Sequence, residues 1–142
     1  MADSKLIKEA INVSLKNAGF KKKSNSWYWS NNDVVQVINL QKSQYGDQYY
    51  LNFGIGLIEL GISDFPKEQH CHIRFRAAAV VSDELKLKIE SALDLESMSM
   101  SDEERASDIS ELIREVILPV FSDCSSKNGV LYSVKREQLT YI

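Results

Sequence analysis

The strongest constraint on the fold is the strict alternation of side chains in QYYLNFGIGL, residues 48–57. Apolar or aromatic residues occupy every second position, and polar or small residues lie between them. The two sets are Tyr49, Leu51, Phe53, Ile55 and Leu57, and Gln48, Tyr50, Asn52, Gly54 and Gly56. Because successive side chains of a strand point to opposite faces of a sheet, this pattern predicts a strand with one face in a core. The other face is polar and small.

Further strands are predicted on both sides of this segment. SWYWSNNDVVQVINLQKS predicts a hairpin that joins residues 26–30 to 34–42, because the Asn-Asn-Asp run between them suits a tight turn. EQHCHIRFRA, residues 68–77, predicts a fourth strand. Connections of this length favour antiparallel pairing.

Helices are predicted before and after the strands. Residues 4–18 are amphipathic, with Asp3 or Ser4 as the cap and Gly19 as the stop. Ser82 can cap a helix over 83–95, and a capping-box pattern at 101–104 precedes a longer helix in which Pro119 predicts a kink or break near 117. The segment after Gly129 fits a short helix or an edge strand equally well.

Together these elements predict one α+β domain over residues 1–142. It has one N-terminal helix, a four-stranded, mainly antiparallel sheet, and two or three C-terminal helices packed on one sheet face. The other sheet face is left for solvent, a ligand or a partner.

Composition limits the function classes. The N-terminus lacks a signal-peptide pattern, and no run of about 18 apolar residues occurs, so we expect a cytoplasmic protein without a membrane segment. Cys71 and Cys124 match no zinc motif and are expected to be reduced thiols.

The net charge of −3 hides an asymmetry between the two parts of the chain. Residues 1–76 carry ten Lys and Arg against seven Asp and Glu, whereas residues 77–142 carry seven against thirteen. This balance argues against a dedicated nucleic-acid binder. The run Lys21, Lys22 and Lys23 is open to two interpretations: favourable charge near a helix C-terminus, or a phosphate-facing patch beside the aromatic residues 27–29.

Candidate site residues follow from the polar side of the predicted sheet. His70, His72, Arg74 and Arg76 share one parity, whereas Cys71, Ile73 and Phe75 share the other and are expected to pack in the core. The neighbouring strands add polar groups to the first set, although Gln36 and Lys42 occupy the alternative parity of one strand. The candidate ligand-binding residues are Asn39, Gln41, Ser43, Tyr50, Asn52, His70, His72, Arg74 and Arg76.

Four uses of this face can be weighed. A metal site lacks a third ligand and has two arginines beside it. Catalysis would use His72 as acid or base with Arg74 stabilising charge, but no nucleophile motif accompanies them. Recognition of an anion would use the arginines as hydrogen-bonding forks. The fourth use is a solvated sheet face.

Three motifs resemble a known family: AGFKKKSNSWYW, VVQVINLQKSQYGDQYYLNFGI and HCHIR. Over residues 12–76 the chain is similar to a bacterial family of small proteins classed only as a domain of unknown function. The characteristic positions are Phe20, Lys22, Trp27, Val37, Asn39, Leu40, Gln41, Lys42, Ser43, Tyr50, Asn52, Gly54, His70, Cys71, His72 and Arg74. Phe75 departs from the glycine that is typical after that arginine. The resemblance implies a cytoplasmic bacterial domain and implies no activity.

The sequence therefore predicts a cytoplasmic binding module without a cofactor or catalytic metal. It would bind another protein or a small anionic ligand through the polar sheet face, as an immunity-type inhibitor or a regulatory protein. The alternative is an enzyme or a nucleotide- or phosphate-binding domain that uses His72 and Arg74. The oligomeric state is left open.

Overall fold

In the computed structural model, which describes residues 4–76, 82–97 and 99–135, the strands form one antiparallel sheet. Its five strands lie in chain order: β1 Lys21–Lys23, β2 Ser26–Ser30, β3 Val34–Lys42, β4 Tyr49–Leu57 and β5 Ile73–Arg76. Short 3-10 turns at Ile58–Leu60 and Glu68–His70 lie between β4 and β5. The sequence predicts this α+β class and the hairpin of β2 with β3.

One described helix precedes the strands in the chain, and the others follow them. These helices are α1 Ser4–Asn17, α2 Asp83–Ala92, α3 Asp102–Leu112, α4 Leu118–Asp123 and α5 Lys127–Lys135. A π-helical turn, Ile113–Ile117, joins α3 to α4 where Pro119 cannot donate a backbone hydrogen bond, so the predicted interruption is confirmed. The side chains of Ser82 and Ser101 accept from the backbone of Leu85 and Glu104, as their capping positions predict. No helix in the described part of the chain is long and apolar enough to span a bilayer.

One sheet face and all five helices share the hydrophobic core. On β3 the inward residues are Val34, Ile38 and Leu40, and on β4 they include Phe53 and Ile55. The helices contribute, among others, Ile7, Ile11, Leu15, Ile89, Ile109, Phe121 and Val130. The prediction that the helices cover one face is therefore confirmed, and the second face carries the odd-numbered residues of β3.

Two strand predictions need correction. The sheet has five strands, not four, because the lysine run pairs with β2 as the short edge strand β1. The last strand begins at Ile73 rather than at residue 68, since residues 68–70 form a 3-10 turn and Cys71 and His72 a bend. The parity assigned to His70, Cys71 and His72 assumed a strand there and is wrong for that reason. Ile73 and Phe75 do lie in the core.

A polar groove as candidate functional site

Residues 58–72, which we call the cover segment, pack over part of the second sheet face. A Cβ on Gly54 would lie 2.7 Å from Cys71 Sγ, and one on Gly56 would lie 2.3 Å from Ile62 Cδ1. These two glycines therefore let the segment approach β4 closely. Phe65, in the same segment, packs edge-on against Tyr28 with ring centroids 5.2 Å apart.

The rest of this face is an open groove, and residues 67–69 of the cover segment contribute to its lining. It consists of two adjoining pockets of about 710 and 510 Å³. Both pockets are lined by Asn39, Gln41, Glu68 and Gln69. The larger one continues to Asn52, Arg74 and Arg76, and the smaller one to Lys23, Ser26 and Lys67. We call this surface, including all these residues, the polar groove.

A single transverse row of side chains crosses the groove. The strand registers pair Lys23 with Ser26, Ser26 with Asn39, Asn39 with Asn52, and Asn52 with Arg76. Neutral polar groups thus occupy the middle of the row and a cation occupies each end. Each of these residues lies on a strand, so a rigid scaffold sets its position.

Hydrogen bonds fix the direction in which the amides of this row point. Arg76 Nε can only donate, and it donates to Asn52 Oδ1 at 3.2 Å. The Nδ2 group of Asn52 therefore donates, to Gln41 Oε1 at 2.7 Å and weakly to Asn39 Oδ1 at 3.5 Å. Asn39 Nδ2 in turn donates to Ser26 Oγ at 3.0 Å. One guanidinium thus orients Asn52 and, through it, both Gln41 and Asn39.

The consequence is that the groove presents donors to an incoming ligand. Asn52 is buried and its amide is engaged on both sides. Gln41, which pairs with Tyr50 and lies beside the row, accepts from Asn52 through its oxygen, and its Nε2 hydrogens have no partner in the described part of the chain. The Nη groups of Arg74 and Arg76 have none there either. A surface with free donors suits an anion.

The charged groups of the groove are held in place by neighbours. Arg76 lies over the Tyr50 ring, with Cζ 4.3 Å from its centroid, and Lys23 Nζ lies 4.6 Å from that of Phe65. Such contacts restrict a long side chain without neutralising it. Arg74 Nε instead pairs with Glu68 Oε1 at 3.1 Å, and the carboxylate is largely buried. Among the described residues that line the groove, four are cationic and one, Glu68, is a carboxylate.

Comparison with known families decides the relationship. The profile of a domain of unknown function, DUF4304, matches residues 11–123. The chain belongs to the DUF4304 family. The match extends beyond residues 12–76, where the motif resemblance lies, into the C-terminal helices. Neither curated proteins nor solved structures yield a match. The family description assigns no activity, so inferences about this DUF4304 domain depend on its own residues.

Most of the predicted site residues meet in the groove of this DUF4304 domain. Asn39, Gln41, Asn52, Arg74 and Arg76 line it, and Tyr50 supports Arg76. The parity of β3 that the sequence left open is settled in favour of Asn39 and Gln41, because Gln36 points to the helices and donates to the Phe121 and Cys124 carbonyls.

Three predicted residues lie elsewhere. Ser43 Oγ accepts from Tyr45 N in the β3–β4 turn, and His70 is an exposed residue of a 3-10 turn. His72 Nδ1 accepts from Leu57 N at 2.9 Å, so this imidazole nitrogen stabilises the chain at the end of β4. None of the three lines the groove.

The candidate residues predicted from the sequence lack five residues of the groove, namely Lys23, Ser26, Lys67, Glu68 and Gln69. Glu68 and Gln69 belong to the EQHCHIRFRA segment, but the assumption of a strand there concealed their position over the groove. Lys23 and Lys67 approach from β1 and the cover segment. The sequence placed Lys23 only within a lysine run that could face a phosphate, and no sequence signal separates it from Lys22, which lies near the Trp27 ring instead.

The buried Cys71 thiol belongs to the structure beside the groove. It packs against Gly54, outside the main core, and burial raises its pKa from 9.0 to about 12. Glu68 also raises the pKa, and Arg74 opposes this effect. Among the described residues no group of three His, Cys, Asp or Glu could hold a metal.

We expect the Cys71 thiol to make stability depend on alkaline pH. In the unfolded chain the thiol ionises near pH 9, whereas the folded chain retains the proton up to about pH 12. The unfolded state then binds fewer protons, so the free energy of unfolding falls between these values by at most about 1.4 kcal/mol per pH unit. Denaturant titrations of wild type and Cys71→Ala from pH 8 to 10.5 measure this. Equal slopes for the two proteins would contradict it.

Proposed function

We propose that this DUF4304 domain is a binding module that recognises an anionic group of its ligand in the polar groove. The observation that carries the proposal is the chain of hydrogen bonds from Arg76 through Asn52 to Gln41. Because the first member can only donate, the last member offers free N–H groups beside two guanidinium forks. The groove thus presents hydrogen-bond donors and positive charge to a negative ligand before the ligand binds.

Electrostatics of the lining support the same proposal. Among the described lining residues, Lys23, Lys67, Arg74 and Arg76 outweigh the carboxylate of Glu68, although the whole chain is acidic. An anion would bind against cations that aromatic contacts already restrict, so less side-chain entropy is lost on binding. If the anionic group belongs to another protein, this domain would act as a regulatory or immunity-type protein.

The catalytic alternative has no comparable support in the described residues. His72, its proposed acid or base, uses Nδ1 for a backbone hydrogen bond and does not line the groove. Arg74 is paired with Glu68. We therefore propose binding without chemistry.

Acetate provides the simplest test of the groove. We expect acetate at constant ionic strength to shift the side-chain amide signals of Gln41 and the Nε–H signal of Arg76 in NMR spectra. Arg76→Gln should weaken binding about tenfold, because a hydrogen bond to a charged group contributes about 1.5 kcal/mol. Lys86→Gln removes one exposed charge outside the groove and is the matched control.

Three results bear on the proposal. Binding that depends on Arg76 and not on Lys86 supports it. Absence of any acetate-dependent shift in the wild-type groove would contradict it. An Arg76→Gln variant that is folded and binds as well as Lys86→Gln would contradict it too.

A further inference from the structure

We propose that the occupant of the groove is an extended acidic segment of a partner protein, which places one carboxylate at each end of the transverse row. This inference rests on the proposed function and adds the ligand's class and the spacing of its charges. The row begins at Lys23 and ends at Arg76, with Ser26, Asn39 and Asn52 between them.

The spacing follows from sheet geometry. Lys23 lies on the first strand and Arg76 on the fifth, so four inter-strand steps of about 4.8 Å place their Cα atoms about 19 Å apart. An extended peptide advances about 3.3 Å per residue, so two acidic residues about six positions apart match the two ends. The neutral middle of the row then faces the uncharged residues between them.

A carboxylate of the chain itself already binds an arginine in this groove. Arg74 Nε donates a hydrogen bond to one carboxylate oxygen of Glu68, and the Glu68 side chain is largely buried. That pair leaves Arg76 as the unneutralised guanidinium at its end of the row, which suits a singly charged carboxylate. At the other end Lys23 and Lys67 are the facing cations.

A peptide fits these features better than a single-stranded nucleic acid. A nucleic acid carries a phosphate at every nucleotide, whereas the three central residues of the row are neutral. It also requires free aromatic faces for stacking bases, yet Phe65 and Tyr50 already have Lys23 and Arg76 against them. The charge pattern therefore selects widely spaced carboxylates.

Two synthetic peptides of equal composition test the inference. One is acetyl-DSTSTSD-amide, with its aspartates six positions apart, and the other is acetyl-STDDSTS-amide, with adjacent aspartates. Calorimetry or NMR titration should show at least fivefold tighter binding of the spaced peptide to the wild-type chain. Lys23→Gln should lower its affinity to that of the adjacent peptide, whereas Lys23→Arg and Lys86→Gln should not.

The outcomes separate this inference from the proposed function. Equal affinity for both peptides, with dependence on Arg76 retained, would overturn the spacing and leave anion recognition standing. Loss of binding for both peptides and for acetate would overturn both proposals. If an eight-nucleotide oligothymidylate binds more tightly than the spaced peptide, the occupant of the groove is a nucleic acid and not a peptide.

Discussion

Replacing Asn52 with aspartate is expected to weaken anion binding strongly while leaving the fold intact. The two side chains have nearly the same shape, but a carboxylate cannot donate to Gln41 Oε1 as the Asn52 amide does. Gln41 would turn its amide group toward the carboxylate and present its oxygen to the groove. The new charge would also neutralise Arg76, which already bonds the position 52 oxygen. One isosteric change thus reverses donors to acceptors.

We expect acetate and peptide affinities of Asn52→Asp to fall at least about thirtyfold, which corresponds to about 2 kcal/mol. Asn32→Asp adds the same charge at an exposed turn position and is the matched control. Thermal melting measures whether both variants are folded, and we expect that they are. Retained affinity in a folded Asn52→Asp variant would show that the hydrogen bonds from Arg76 through Asn52 to Gln41 do not determine what the groove binds.

The largest effect on stability is expected at Arg105. This side chain is fully buried in α3 and has no carboxylate partner in the described part of the chain. Its Nη1 donates to the carbonyls of Ser91, Ala92 and Asp94 at 2.8–3.1 Å, and Nη2 donates to that of Ser97. The guanidinium therefore satisfies the carbonyls at the end of α2 and complements that helix dipole.

We expect Arg105→Met to lower the free energy of unfolding by about 3 kcal/mol. Methionine fills much of the volume but leaves four buried or part-buried carbonyl bonds unmade. The unpartnered Nε of Arg105 disappears with the substitution, which offsets part of the loss. Arg114→Met removes an exposed arginine from the π-helical turn that follows α3 and should change stability by less than about 0.5 kcal/mol. Denaturant unfolding measures both, and equal losses would contradict the role of Arg105.

The strands with alternating or turn-flanked patterns could be predicted from sequence. β2 and β3 have the predicted bounds, because Asn31 closes their turn by accepting from the backbone of Asp33 and Val34. β1 could not be predicted, since three exposed lysines have no apolar periodicity and pair only because β2 is adjacent. The His-Cys-His segment imitates a strand in its alternation, but close packing of Cys71 on Gly54 requires a bend there.

The site could be predicted only in part, for a related reason. Asn52, Arg74 and Arg76 could be placed on one face, because side chains alternate between the two faces along the whole of β4 and β5. The sequence could not show that the cover segment brings Glu68 onto Arg74, a contact that depends on a connection without periodicity. Arg105 was missed because a lone arginine on a helix carries no sequence signal of burial.

The most direct measurement of anion recognition is a crystal structure of this DUF4304 domain with the spaced peptide. The account predicts one carboxylate within hydrogen-bonding distance of Arg76 Nη and Gln41 Nε2, and the other beside Lys23. It further predicts that the bond from Asn52 Nδ2 to Gln41 Oε1 is retained, since that bond orients the donor. A peptide bound on the helical side of the sheet, or a Gln41 oxygen turned toward the ligand, would contradict it.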